Sequence, residues 1–250
     1  MSSNTNSIVF EICLGNIDDV VLAAKYEVKR IELNYAINSG GLTPSLAMVK
    51  QARQIFPNKI IVVIRYRPGG FTYSSREMAL HLQDIAILKP YVNGFAFGCL
   101  TESAEIDLEN LKRIRAATKG KELAFHRAFD LVSDDDIAMQ NLITYGVERV
   151  ISGGSQKYAV KGWEKLAYLQ RQYGQSITIL AGGGIKANNI VDLRDKTGIN
   201  EFHASLLTKK YNRDSSASLS YSGSDEENHY SGLDESQLRE MIKEISGLMV

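Results

Sequence analysis

The sequence predicts a single-domain (β/α)8 barrel, and three observations carry that prediction. Strand-like and helix-like stretches alternate eight times at about 27 residues per unit, which suits a barrel of ~250 residues. The strands are short and mostly apolar, as parallel strands covered on both faces are. Polar residues and glycines gather where the strands end, the face at which barrels build their sites. A doubly wound open sheet is the structural alternative. It calls for a Gly-x-Gly-x-x-Gly turn after the first strand, and Cys13-Leu14-Gly15-Asn16 lacks it.

Ile8 to Cys13 is the first strand, and Asn16 opens a helix whose Ile17, Val20, Val21 and Ala24 share one face. Arg30 to Asn34 alternates as a second strand. After the Gly40-Gly41-Leu42 loop, Thr43 is the expected cap of a helix with Pro44 at its first position. Lys59 to Ile64 is the most apolar strand and leaves through Arg65-Tyr66-Arg67-Pro68-Gly69-Gly70. Ser74 and Glu77 have the spacing of a capping box ahead of the next helix. Gly94 to Gly98 and Glu122 to His126 are strands four and five, with the following helices announced by Leu108, Leu111 and Ile114 and by a start near Ser133. Arg149 to Ser152 is strand six, ending in Gly153-Gly154. Ser176 to Leu180 is strand seven, ending in Gly182-Gly183-Gly184, and Glu201 to Ser205 is strand eight. The last helix is displaced to the C-terminus, where Leu238, Met241, Ile242, Ile245 and Leu248 recur at helical spacing. Residues 212–232, rich in Ser, Gly, Asp and Glu, are expected to form a mobile loop, and residues 1–7 a disordered start.

Composition narrows the function. Basic and acidic residues number 29 each, so the chain has no net charge to offer nucleic acid or an anionic membrane surface. A small molecule or another protein is the expected partner. Two cysteines, Cys13 and Cys99, cannot build a disulfide framework or a four-cysteine metal site. Met1 to Ser7 lacks the apolar core of a secretory signal, and the longest apolar run, Ile60 to Ile64, is too short to span a bilayer. A cytoplasmic protein with reduced thiols is the expectation.

Alternation then decides which side chains meet. If the apolar members of each strand face the helices, Glu11 and Cys13 point into the lumen from strand one, and Arg30, Glu32 and Asn34 from strand two. Arg65 points inward from strand three, His126 from strand five, and Glu201, His203 and Ser205 from strand eight. Buried charges need partners, and Glu32 with Arg65 on the neighbouring strand is the expected pair. Glu11 close to Glu32 would raise one of the two carboxyl pKa values, a device for making an acid or base. Arg67, Arg127 and Asp130 fall on the rim, the last two as a pair that fixes the loop. Backbone amides of Gly182, Gly183 and Gly184, assisted by Gly153 and by Arg67, are candidates to hold an anion, with Lys209 and Lys210 nearby in sequence.

Several stretches together resemble the CutC family, named for copper homeostasis. They are Phe10-Glu11-Ile12-Cys13, Arg30-Ile31-Glu32-Leu33, Gly40 to Ser45, Ile64-Arg65, Tyr73-Ser74 and Phe125 to Asp130. Arg149-Val150, Ser152-Gly153, Ala181-Gly182, Gly184 and Glu201 with His203 and Ser205 extend the match from strand one to strand eight. The resemblance implies a (β/α)8 barrel, a cytoplasmic setting, self-association and a link to copper. Cu(I) prefers soft ligands, and where family members often carry Cys this chain has Asn34, and sometimes Leu14, which leaves Cys13 as the metal-ligand candidate, with His203 or His126. Two readings remain open. One is a copper-binding protein. The other is a barrel enzyme for a small anionic metabolite, with Glu11, Glu32, Arg65, His126 and His203 as its catalytic set.

Overall fold

In the computed structural model, which describes residues 8–211 and 229–247, eight parallel strands close on themselves. They are β1 (Val9–Leu14), β2 (Arg30–Leu33), β3 (Lys59–Val63), β4 (Gly94–Phe97), β5 (Glu122–Phe125), β6 (Arg149–Ser152), β7 (Thr178–Gly182) and β8 (Glu201–Ala204). Each pairs with the next, and β8 returns to β1 with Glu11 beside His203. The helices are α1 (Ile17–Lys25), α2 (Leu46–Ile55), α3 (Ser75–Leu88), α4 (Leu108–Ala117), α5 (Asp135–Thr144), α6 (Trp163–Tyr173), α7 (Ala187–Thr197) and α8 (Glu235–Ser246). The predicted barrel is the observed one, including the displaced eighth helix. Among the described residues, no helix is long and apolar enough to cross a membrane.

The alternation works as expected. Ile12, Leu14, Ile31, Leu33, Phe95, Phe97, Phe125 and Phe202 are fully buried between strands and helices. Each aromatic or aliphatic side chain so removed from water contributes roughly 1.5–3 kcal/mol before entropy is counted. The lumen has its own small apolar cluster, Ile61, Val63, Ala96 and Ala124, from β3, β4 and β5. The other half of the lumen, served by β8, β1, β2 and β6, is polar. This division is what positions the site.

Several boundaries differ from the sequence reading. Helix α2 starts at Leu46 with Ser45 as its cap, the Met48 amide donating to the Ser45 hydroxyl at 3.2 Å. Thr43 is unavailable as a cap because its hydroxyl bridges to β3, accepting from the Arg65 amide at 2.8 Å. The Ser74–Glu77 capping box forms as expected. Strand β7 runs two residues later than predicted, through Gly182, and α5 is capped by Asp134 rather than starting at Ser133. Residues 229–232 are not loop: β10 (His229–Leu233) pairs antiparallel with β9 (Leu207–Tyr211), which holds Lys209 and Lys210. The remainder of the expected loop, 212–228, lies outside the described residues, as do the expected disordered start and Leu248.

One buried helix residue makes stability depend on pH. His81 of α3 is fully buried against Tyr73 and Phe97, and its Nε2 accepts the Tyr66 amide at 3.1 Å. Burial pushes its pKa down from 6.5 to about 4. A histidine whose folded pKa lies below its unfolded one binds fewer protons when folded. The stability it contributes is therefore complete above pH 6.5 and lost as pH falls through 4. Urea titrations at pH 7.5 and pH 4.5 should show the native protein losing about 2 kcal/mol more over that interval than His81→Gln, which keeps an acceptor but cannot charge.

Candidate functional site

The polar half of the lumen is built around Glu11, whose side chain is fully buried. Its carboxylate meets Arg30 Nε at 2.7 Å, Arg149 Nη1 at 2.9 Å and His203 Nδ1 at 2.8 Å. Arg30 also reaches Glu201 at 2.6 Å, and Arg149 pairs with Glu122. The result is a chain of alternating charge, Glu201–Arg30–Glu11–Arg149–Glu122, crossing the lumen on side chains from β8, β2, β1, β6 and β5. Burial by itself would raise the Glu11 carboxyl. Arg149, the His203 hydrogen bond and Arg30 outweigh it and hold that carboxyl well below the usual carboxylate range.

Above this layer, at the C-terminal ends of the strands, lies a cavity of about 240 Å³. Cys13, Glu32, His203 and Ser205 line one side. Val63, Arg65, Phe71 and His126 line the other, with Ile37, Gly40, Gly41, Arg127 and Ile151 completing the wall. Cys13 and Glu32 lie level on β1 and β2. The Cys13 thiol lies 3.5 Å from Glu32 Oε1 as a donor and accepts from Asn34 Nδ2 at 2.8 Å. His203 Nε2 is 3.8 Å from Glu32 Oε1, on the ring edge opposite its Glu11 bond. One donor atom each from Cys13, Glu32 and His203 falls within 4.8 Å of the others.

Electrostatics at this cluster follow from burial and proximity. Burial, reinforced by the neighbouring Glu32 carboxylate, pushes the Cys13 thiol well above its ordinary value. Burial also raises Glu32, and the Glu11 charge adds to that, as two neighbouring carboxylates should. His203 goes the other way: burial opposes its charge, but Glu32 and Glu11 prevail and raise it. All three groups are thus shifted toward their protonated forms, and a bound cation would oppose that shift.

The expected Glu32–Arg65 pair does not form. The residue of β3 level with Glu32 is Ile61, so Arg65 sits higher, beyond the end of the strand. There its guanidinium donates to the carbonyls of Ser39 at 3.4 Å, Gly40 at 3.0 Å and Gly69 at 2.7 Å. The cavity brings together Cys13, Glu32, Arg65, His126, His203 and Arg127, with Glu11 directly beneath. It does not bring in Arg67, which pairs with Glu77 and turns to the carbonyls of its own loop.

Nor do Gly153, Gly182, Gly183 and Gly184, the glycines expected to hold an anion, line it. The Gly153 amide donates at 3.0 Å to Asp130, whose carboxylate also accepts from the Ser152 hydroxyl at 2.6 Å and the Ser155 amide at 3.1 Å. Arg127 meets the same carboxylate at 2.7 Å and reaches the Gln156 and Lys157 carbonyls. Gly183 lies against Arg127 and Gly184 against the Tyr158 ring, while Gly182 packs beside Ile151 and His203. Sequence reasoning missed Arg149, which balances Glu11. The one signal available, Arg149 sharing a strand face with Ile151, was blurred by the adjacent Val150 on the other face.

Comparison with known proteins agrees with this architecture. The CutC family model matches residues 8–208. A family protein CutC of Glaesserella parasuis serovar 5 is 34% identical over 238 residues, covering 94% of this chain and 98% of its own. The human protein named copper homeostasis protein cutC homolog is 34% identical over 206 residues, covering 82% of this chain and 76% of its own. A crystal structure of CutC from Streptococcus agalactiae superposes with a TM-score of 0.76 at 29% identity, covering 79% of this chain and 98% of that one.

Proposed function

The chain belongs to the CutC family, and from that premise we propose that it handles copper, binding one ion through Cys13, Glu32 and His203 at the barrel mouth. The observation that carries the reading is the meeting of a thiol, an imidazole and a carboxylate within 4.8 Å on the wall of the cavity. The donor set fits copper: thiolate suits Cu(I), and imidazole suits either oxidation state. His203 is prepared for the role, since Glu11 holds Nδ1 and leaves Nε2 toward the cluster. A carboxylate behind a ligating histidine fixes its ring and raises its basicity. Asn34 steadies the sulfur from the other side, and its Oδ1 is buried without a partner among the described residues. Binding would release the thiol proton, and the fully buried charges of Glu11 and its arginines would keep the cluster in register.

As a ligand, Cys13 must be reduced, so the reading also places the protein in a reducing compartment such as the cytoplasm. The test is a Cu(I) competition titration of the native protein, Cys13→Ser and Cys99→Ser. Cys99 is buried in the strand–helix core away from the cavity and serves as the control. One ion per chain is expected, with affinity at least ~10-fold weaker in Cys13→Ser and unchanged in Cys99→Ser, because even outer-shell substitutions cost that much at metal sites. Equal affinity in native and Cys13→Ser would overturn the proposal.

A further inference from the structure

Arg65 stands apart from the other arginines that face the lumen. Arg30 and Arg149 are each held by two carboxylates. Arg65 is just as buried, yet among the described residues no carboxylate lies within salt-bridge distance of it. Its partners are three carbonyls, the neutral Tyr73 hydroxyl alongside and the face of Phe71, whose ring centre is 4.9 Å from the guanidinium carbon. A guanidinium has five N–H groups; the three carbonyls take three of them, and the buried Nε–H is among those left without an acceptor. A buried cation answered only by neutral dipoles is costly to keep unless something anionic comes to it.

The second unpartnered donor is close by. The Phe71 ring also stacks 4.9 Å from the His126 imidazole. His126 Nδ1 accepts the Ala128 amide at 3.2 Å, which puts the ring proton on Nε2. That nitrogen is buried and has no acceptor among the described residues. Burial, with Arg65 adding to it, keeps the ring neutral, its pKa down to about 3. Both side chains line the cavity across from Cys13, Glu32 and His203.

We propose that Arg65 and His126 form a carboxylate subsite within the barrel-mouth cavity, which takes a small organic acid. Arg65 supplies the charge and unpaired N–H groups suited to a planar carboxylate, and His126 supplies a neutral Nε2–H donor. A cavity of about 240 Å³ lies below the range of drug-sized pockets, so the ligand is a short-chain acid rather than a nucleotide. The subsite uses different residues from the copper cluster and stands or falls separately.

Malonate, its neutral counterpart malonamide and inorganic phosphate are the probes, titrated calorimetrically into full-length protein with a copper chelator present. Malonate should bind saturably and malonamide should not. Arg65→Gln and His126→Phe should each weaken malonate at least tenfold, while Cys99→Ser, whose thiol is buried in the strand–helix core away from the cavity, leaves it unchanged. His126→Phe preserves the ring contact with Phe71, so it keeps the test alive if Arg65→Gln fails to fold. No saturable malonate binding, equal binding in native protein and both variants, or a preference for phosphate would each overturn the carboxylate subsite. Because copper is absent throughout, none of these results bears on the Cu(I) titration.

Discussion

Replacing Glu11 by alanine should destabilise the protein by about 3–5 kcal/mol, the cost of removing one partner from a buried ion pair and leaving its counter-charge behind. Glu11 is the only carboxylate touching both Arg30 and Arg149 among the described residues. Both arginines lie in the lumen with almost no exposure, so water cannot take over the lost contact. Glu201 and Glu122 would remain as partners at the two ends of the chain of charges. Two guanidiniums would then face each other across the space Glu11 filled. Glu11→Gln should cost less, since an amide oxygen still accepts from one of them. For comparison, Arg194→Ala, which breaks an exposed pair with Asp195, should cost no more than about 1 kcal/mol. Equilibrium urea unfolding at pH 7 measures all three, and a Glu11→Ala loss no larger than that of Arg194→Ala would contradict this account of the lumen. The pH dependence has the matching sign. The Glu11 pKa is lower in the folded state than its ordinary 4.5, so its contribution is complete above that pH and disappears only in strong acid.

That inward network shows what alternation can and cannot reveal. Glu11, Cys13, Glu32 and His203 were legible because their strands alternate cleanly between one apolar and one polar face. Arg149 was hidden because β6 is four residues long and carries Val150 and Ile151 side by side, so its apolar face is ambiguous. The Glu32–Arg65 pairing failed for a different reason. Adjacent strands of a tilted barrel are level by register, not by distance from the strand end, and register sets Ile61 beside Glu32. Arg65 therefore sits higher on the cavity wall than Glu32. The β9–β10 hairpin was illegible because its second strand, His-Tyr-Ser-Gly-Leu, has neither an apolar run nor a turn signal adjoining it. Cap chemistry misled at Thr43, whose hydroxyl is spent on a contact 22 residues away.

The glycines after β6 provide the second large effect. Sequence alone allowed Gly153 and its neighbours to serve an anion, and the loop does hold one: the chain's own Asp130, fixed by the Gly153 and Ser155 amides. For that to happen Gly154 must turn with φ +69°, and its backbone must press against Gly162 at the entrance to α6. A methyl group on Gly154 would land on the Gly162 carbonyl, and backbone on both sides prevents an easy retreat. Gly154→Ala thus combines a left-handed conformation, about 1–2 kcal/mol for an L side chain, with an overlap worth about 1–3 kcal/mol, for an expected loss of ~3 kcal/mol or more. Gly120→Ala separates the two contributions. Gly120 has φ +81° but nothing within 4 Å of the added methyl, so only the conformational cost of about 1–2 kcal/mol applies. Thermal and urea unfolding of the two variants should differ by the overlap alone. Equal losses would mean that the β6 loop yields freely to the methyl group. In that case the Asp130–Gly153 contact, with Arg127 bound to it at the cavity wall, is a looser frame than its hydrogen bonds imply.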